Sequence, residues 1–467
     1  MIFGISMKIA DLLENEKALI VFDRILPGMK DRALTNPQAA QLSIEQVIKY
    51  SRLPGAETIL EKLDEELCKL NTPENMISPS EAKAIEFFRK VWEEDDKAGK
   101  NLSAYEKVGE PEGKTSHTRQ VIEPGKEWLD TDGNPIQAHG GAVIYEDGTY
   151  YWYGENKEHT DGANGIWTWG IKVYSSKDLM NWKDLGFLIP PVIDDPNAAL
   201  FPAKRVDRPH ILKCKKTGKY VCWIKLSGAE AAFTIWQADS LLGPYEMVEN
   251  LYNPGNHKAG DFDMVSDAKT GKGYIFFDAD HESMLCMELS EDYLRAEKEI
   301  CKNYPDLKPP FTREAPALFE KAGRVYMLTS GMTGYVPNAS DSAVADGYTQ
   351  EFMSIGNPHI DDKSCASFNS QISKIFYVEE KDMFIAMADR WLPDTPVDKR
   401  LADIFTRVIA GNYEPDKYTA TEDEKKEMYM ANKLDKANTS IAQYVWLPIE
   451  WEDDMPVIKW HDEWKVF

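Results

Sequence analysis

EAPALFEKAGRVYMLTS, residues 314–330, reads as a short apolar strand, a turn at Ala322-Gly323 and a second strand rich in apolar and aromatic residues. The same outline recurs along the chain. GGAVIYEDGTYYWYG begins at Gly140, RPHILKCKKTGKYVCWIK at Arg208, FDMVSDAKTGKGYIFFD at Phe262 and NSQISKIFYVEEKDMFIAMADRW at Asn369. The first four turns carry glycine, and the fifth is the charged Glu379-Glu380-Lys381. The starts are spaced by 68, 54, 52 and 55 residues, which suits a four-stranded sheet with its loops, repeated. Five such sheets predict an all-β five-bladed β-propeller. A sandwich of short strands would not repeat one outline at this period. The last strands are expected from AQYVWLPIEWEDDMPVIKWHDEWKVF, residues 442–467, with Val457, Trp460 and Trp464 helping to close the ring.

Before the repeats the texture is helical. MKIADLLENEKALIVFDRIL places Ile9, Leu12, Leu13, Ile20 and Phe22 at helical spacing and stops at Pro27-Gly28. Ser43 with Gln46 three residues on has the pattern of a capping box, and two further segments, 55–70 and 78–96, keep the 3.6 period. The expected organisation is a small N-terminal helical domain over 1–115, a polar linker over 116–133 and the propeller over 134–467. The helical part carries no chemical motif, so its apolar stripes predict packing or contact between copies of the chain in a homo-oligomer.

Composition narrows the function. With 78 acidic against 54 basic residues the formal charge is −24, which repels phosphate backbones and anionic membrane surfaces, so neither nucleic acid nor membrane is an expected partner. Six cysteines without any CxxC pair or short metal-ligand spacing predict a reduced, cytoplasmic chain with no metal or other cofactor. Lys8, Asp11, Glu14, Glu16 and Lys17 interrupt the apolar residues that a signal peptide would need.

Propeller geometry then points to a site. The first strand of each blade lines the central channel, so the residues at its start converge at one mouth. These are His139, Asp207, Asp263, Glu314 and Gln371, a polar or ionisable group from every blade. Clustered, buried carboxylates push one another's pKa upward, as a general acid at neutral pH requires. The same groups also suit a channel that only holds water. Glu155, at the end of an aromatic strand, is a reserve candidate for a base.

At these residues the sequence resembles the family 43 glycoside hydrolases, and most closely their exo-β-1,3-galactanase and galactosidase-like branch. The matching stretches are IQAHGGAVIYEDGTYYWYGENK, VYSSKDLMNWKDLGFLI, DRPHILKCKKTGKYVCWIK, REAPALFEKAGRVYMLTSGMTGYVPN and SFNSQISKIFYVEEKDMFIAMADRW, in order from Asn134 onward. The resemblance implies an exo-acting, inverting glycosidase that releases a terminal sugar, galactose, from a β-linked oligosaccharide. It implies Glu314 as proton donor, Asp207 as the acid that tunes and orients it, and Gln371 in place of the base. Most of the family has a catalytic aspartate near the start of blade 1, where this chain reads IQAHGG. Expected sugar contacts are His139, Glu155, Asp263, Arg208, Arg313, Trp167, Trp169, Tyr335, Asn338 and Trp391, although Trp169 and Trp391 also suit packing between blades. The alternatives are a β-xylosidase or α-L-arabinofuranosidase, activities that dominate the wider family, and a propeller that binds glycans without cleaving them.

Overall fold

The computed structural model describes residues 3–29, 42–51, 53–71, 77–107, 116–431 and 436–467. They fall into two compact units: Met1–Asp95 with Ile193–Pro196, and Asp96–Val192 with Asn197–Phe467. The tail of the expected helical domain, residues 108–115, lies outside the described residues.

The first unit is helical, with α1 (Ile9–Glu14), α2 (Glu16–Ile25), α3 (Ile44–Tyr50), α4 (Ala56–Cys68) and most of α5 (Pro79–Lys97). Its apolar stripes make one core in which Phe3, Ile9, Leu12, Ile44, Ile48, Leu63 and Leu67 are fully buried. The capping box is present: Gln46 N–H donates to Ser43 Oγ at 3.1 Å, and Ser43 N–H donates to Gln46 Oε1 at 2.9 Å.

The second unit contains five four-stranded antiparallel blades, each a meander of consecutive strands. Blade 1 is β1 (His139–Glu146), β2 (Thr149–Glu155), β3 (Ile171–Ser176) and β4 (Lys183–Ile189). Blade 2 is β5 (Val206–Lys213), β6 (Tyr220–Leu226), β7 (Ala232–Ala238) and β8 (Glu246–Tyr252). Blade 3 is β9 (Ala259–Ser266), β10 (Gly273–Ala279), β11 (Ser283–Leu289) and β12 (Ala296–Asn303). Blade 4 is β13 (Arg313–Lys321), β14 (Arg324–Gly331), β15 (Asp341–Ala345) and β16 (Met353–Gly356). Blade 5 is β17 (Gln371–Val378), β18 (Met383–Arg390), β19 (Gln443–Glu452) and β20 (Met455–Ile458). The first strands touch in the cyclic order β1, β5, β9, β13, β17 and back to β1, so the ring of blades is closed.

The aromatic residues mostly build the layers between blades. Between blades 5 and 1, Trp128, Trp152, Trp182, Trp446, Tyr174 and Tyr444 form one buried cluster, with the Trp152 and Trp446 rings 4.6 Å apart. Ile122 pairs with Trp464, and Lys126 with Tyr444, so part of the stretch expected as a linker is built into this layer. Two helices were not expected inside the propeller. α6 (Lys399–Tyr413) and α7 (Glu422–Ala431) sit between β18 and β19, burying Ile404, Phe405 and Val408 against Val336, Ala366 and Val397.

Trp152 is fully buried in the layer between the last and first blades. Trp152→Ala is therefore expected to destabilise the propeller by about 3–5 kcal/mol, the usual cost of truncating a large buried aromatic. Denaturant unfolding checks this, and a loss below about 1 kcal/mol contradicts the assigned packing.

Candidate active site

Irregular first strands shape the mouth. Register breaks between His139 and Ala142, between Asp207 and His210, between Glu314 and Ala317, and between Ile372 and Lys374. In blade 3 the break falls between the Phe277 and Ala279 pairings, opposite Gly260 and Asp261. Arg208 and Ala315 take left-handed φ values of 49° and 50° just after Asp207 and Glu314, at the position that Gly140 occupies after His139. Such bulges bend a strand and re-aim its side chains. Two glycines make room: a Cβ on Gly140 would lie 2.3 Å from Glu155 Oε1, and one on Gly260 2.1 Å from Asp278 Oδ2.

The result is a cavity of about 250 Å³. Four carboxylates line it, Glu155, Asp207, Asp261 and Glu314, together with Arg205, Arg208 and Lys225. Trp167, Tyr335 and Trp391 form an aromatic wall. The Trp167 and Tyr335 rings stack at 6.2 Å with 27° between planes, and Trp391 lies 5.5 Å from Tyr335.

Arg208 is the hub. Its backbone N–H donates to Glu155 Oε1 at 2.8 Å, its Nε pairs with Asp261 Oδ2 at 3.0 Å, and its Nη2 donates to Gln371 Oε1. The Gln371 amide in turn donates to Glu314 Oε1 at 3.1 Å and to Ser330 Oγ at 2.8 Å. Asp207 is held by neutral donors, Trp167 Nε1 at 2.8 Å and the Ser227 hydroxyl.

These surroundings separate the acids. Burial, reinforced by the negative charges of Asp261 and Asp278, pushes Glu314 up to about 8, against the opposing pull of Lys225 and Arg208. Asp261 is also buried, which by itself would raise it, but Arg208 and Lys225 hold it well below the usual carboxylate range. Burial pushes Glu155 to about 7, with Lys157 opposing from 2.8 Å and the Asp207 charge adding to the rise. Glu314 thus keeps its proton at neutral pH while Asp261 stays ionised.

The expected residues divide. Glu314, Asp207, Gln371, Glu155, Arg208, Trp167, Tyr335 and Trp391 meet in the cavity. His139, Asp263, Arg313, Trp169 and Asn338 do not line it. His139 is fully buried, with Nδ1 2.9 Å from Asp389 Oδ1 and its ring stacked 4.8 Å from Tyr444. Asp263 is fully buried, paired with Lys374 and accepting from Leu318 N–H at 2.8 Å. Arg313 turns to Thr329, donating to its Oγ1 at 2.9 Å and its carbonyl at 2.7 Å. Trp169 is core, and Asn338 pins its own loop through Gly331 and Thr333. The residues not anticipated are Asp261, Lys225, Ser227, Arg205 and His281. His281 Nδ1 lies 2.5 Å from the buried Asp278, whose hydrogen bond raises the imidazole pKa against the effect of burial. The charge that acts most on Glu314 is that of Asp261 rather than that of Asp207, the residue for which the resemblance implies the tuning role. Among the described residues, no cluster of three or more His, Cys, Asp or Glu side chains is arranged to hold a metal ion.

The profile of the glycosyl hydrolases family 43 matches residues 133–354, which spans most of the first four blades. Over those residues the propeller is similar to this family. Among solved structures, a GH43 β-1,3-galactosidase is 29% identical with a TM-score of 0.60 over 75% of this chain. The chain spans 64% of that protein's own length. A second GH43 β-1,3-galactosidase, solved with galactodeoxynojirimycin, is 26% identical with a TM-score of 0.57, over 74% of this chain and 100% of its own. The exo-β-1,3-galactanase of Phanerochaete chrysosporium with galactose is 20% identical, covers 74% of this chain and 69% of its own, and shares the fold with a TM-score of 0.59. Comparison with curated proteins gives no match.

The electrostatics predict a pH signature. If Glu314 acts in its protonated form, activity falls as pH rises through about 8. Asp261→Asn removes a negative neighbour and frees the charges of Arg208 and Lys225, and both changes favour the Glu314 carboxylate. The basic limb of the kcat/KM profile should therefore move to lower pH, and an unmoved or upward-shifted limb contradicts this assignment.

Proposed function

We propose that the chain is an exo-acting, inverting glycoside hydrolase that releases terminal galactose from β-1,3-linked galacto-oligosaccharides. The observation that carries this reading is Glu314, a buried carboxyl raised to about 8 inside a small cavity walled by Trp167, Tyr335 and Trp391. Flat aromatic faces suit the C–H faces of a pyranose, and a cavity on the scale of one sugar ring favours the end of a chain over its middle. The choice of galactose and of the β-1,3 linkage rests on the two β-1,3-galactosidases at 29% and 26% identity.

In the proposed step the Glu314 proton passes to the glycosidic oxygen as the bond from that oxygen to C1 breaks. Water attacks C1 from the opposite face, and its proton goes to a carboxylate. Asp207 fits this role best, because it is partly exposed in the cavity and held only by Trp167 and Ser227. Glu155 is 2% exposed and already engaged by Lys157 and the Arg208 N–H. Gln371 is the base that the resemblance implied, but its oxygen accepts from the Arg208 guanidinium, which lowers its basicity, while its nitrogen holds Glu314. Its role here is to orient the acid.

Release of 4-nitrophenol from β-galactoside, β-xyloside and α-L-arabinofuranoside substrates tests the sugar, and NMR of the first-formed anomer tests inversion. Glu314→Gln should lower turnover of β-1,3-galactobiose by about 10²- to 10⁴-fold and that of a dinitrophenyl galactoside far less, since a good leaving group needs little protonation. Equal losses on both substrates would remove Glu314 from the acid role. Asp207→Asn should abolish turnover on both, and azide should restore part of it by replacing the activated water; a fully active Asp207→Asn enzyme would return the base to Gln371 or Glu155.

A further inference from the structure

A second cavity lies apart from the candidate active site. It measures about 670 Å³ and lies between blades 1 and 5. We infer that this cavity is a second saccharide-binding site, separate from the candidate active site; only the choice of galactose as probe rests on the proposed function.

Three features point to a neutral, polyhydroxylated ligand. The first is an unmet hydrogen bond. Gln137 is 4% exposed and lines the cavity, and its Nε2 donates to the Ser440 carbonyl at 3.1 Å, yet its Oε1 has no partner. A buried carbonyl oxygen left unpaired is costly, and a ligand hydroxyl would satisfy it once a small turn of the side chain exposed that oxygen to the cavity. The second is a polar wall in which both lysines are paired and the acids, with Glu127 and Asp394 among them, outnumber the bases. Lys100 pairs with Glu158, and Lys172 Nζ lies 2.9 Å from Asp184 Oδ2 and 3.5 Å from Glu158 Oε2. Such a wall offers acceptors and paired donors to hydroxyls and, being net acidic, disfavours phosphate. The third is apolar lining. Pro135, Pro393 and Ile441 supply apolar contact, and Ile441 is 46% exposed at the rim. Polar side chains together with a small apolar surface match the mixed chemistry of a sugar ring.

The cavity is distinct from the active site but shares a partition with it. Tyr444 lines the larger cavity and Trp391 the smaller, and the buried His139 ring lies between them, 4.8 Å from one and 5.5 Å from the other. Glu158 faces the larger cavity and Glu155 the smaller, within one short stretch of chain.

The test uses the full chain carrying Glu314→Gln, titrated calorimetrically with galactose, β-1,3-galactobiose and, as an anion control, inorganic phosphate. Two saccharide-binding events are expected, and the second should vanish in Ile441→Trp, which fills the exposed rim, and in Gln137→Met, which keeps the shape and removes the acceptor. A single event that survives both substitutions overturns the inference and leaves the glycosidase reading standing. A single event abolished by both supports the second site and counts against the first. Binding of phosphate, but not sugar, that both substitutions abolish would overturn the assigned ligand class, and the absence of any saccharide binding would overturn both readings.

Discussion

The Arg208 guanidinium, on the first strand of blade 2 and 5% exposed, feels one carboxylate from each of the other four blades: Glu155, Asp261, Glu314 and Asp389. A buried cation is tolerable only when paired, and a buried carboxylate is equally so. The centre of the ring is therefore stable only while all five blades hold their register. Substituting any one of these groups would leave charge stranded at low dielectric, so the requirement that keeps the ring in register also fixes the electrostatics of the site.

One guanidinium cannot neutralise four acids, and its neighbours decide which acid gives way. Asp261 has direct contacts from Arg208 Nε and Lys225. Glu155 has Lys157, and Asp389 has His139 and the Gly140 N–H. Glu314 has only the Gln371 amide among these partners. A neutral donor compensates a buried charge far less than an ion pair does, so Glu314 holds its proton to higher pH than Asp261 or Glu155. The acid is selected by being left without a counter-ion. This agrees with its placement beside an ionised Asp261, whose charge keeps the proton on rather than drawing it off.

The blades, their number and the strand starts that converge on the mouth were legible in the period of the sequence. Asp207, Glu314 and Gln371 follow from that alignment. The partners across the hairpins were less visible, because pairing register depends on where a bulge falls. Register sets Lys225 opposite Asp207, Ser330 opposite Glu314 and Asp389 opposite Gln371. The same effect explains Asp263. Strand alternation puts Asp261 and Asp263 on one face, but the irregularity at Gly260 leaves Asp261 in the cavity and Asp263 buried against Lys374. The α6–α7 insertion was readable in principle, since Leu401, Ile404, Phe405 and Val408 keep helical spacing after the Asp398 cap, which accepts from Leu401 N–H at 2.8 Å. A β expectation for the whole propeller range hid it.

Several residues with the chemistry of sugar ligands turn out to hold the propeller together, and the physics explains why they look alike in sequence. Apolar layers between blades supply most of the burial but specify position weakly, because hydrophobic contact is not directional. Directional bonds are needed where strands of different blades meet at the axis. His139 to Asp389 joins blade 1 to blade 5; Asp263 joins blade 3 to blade 4 through the Leu318 N–H and to blade 5 through Lys374. A fully satisfied polar link of this kind favours one arrangement over near alternatives, since a shifted blade would bury both partners unpaired. A catalytic pocket at the axis needs polar groups at the same radius and for the same reason of convergence. Fastener and ligand therefore differ only in whether a partner from the next blade already occupies the side chain, and the fold, rather than residue type, makes that distinction.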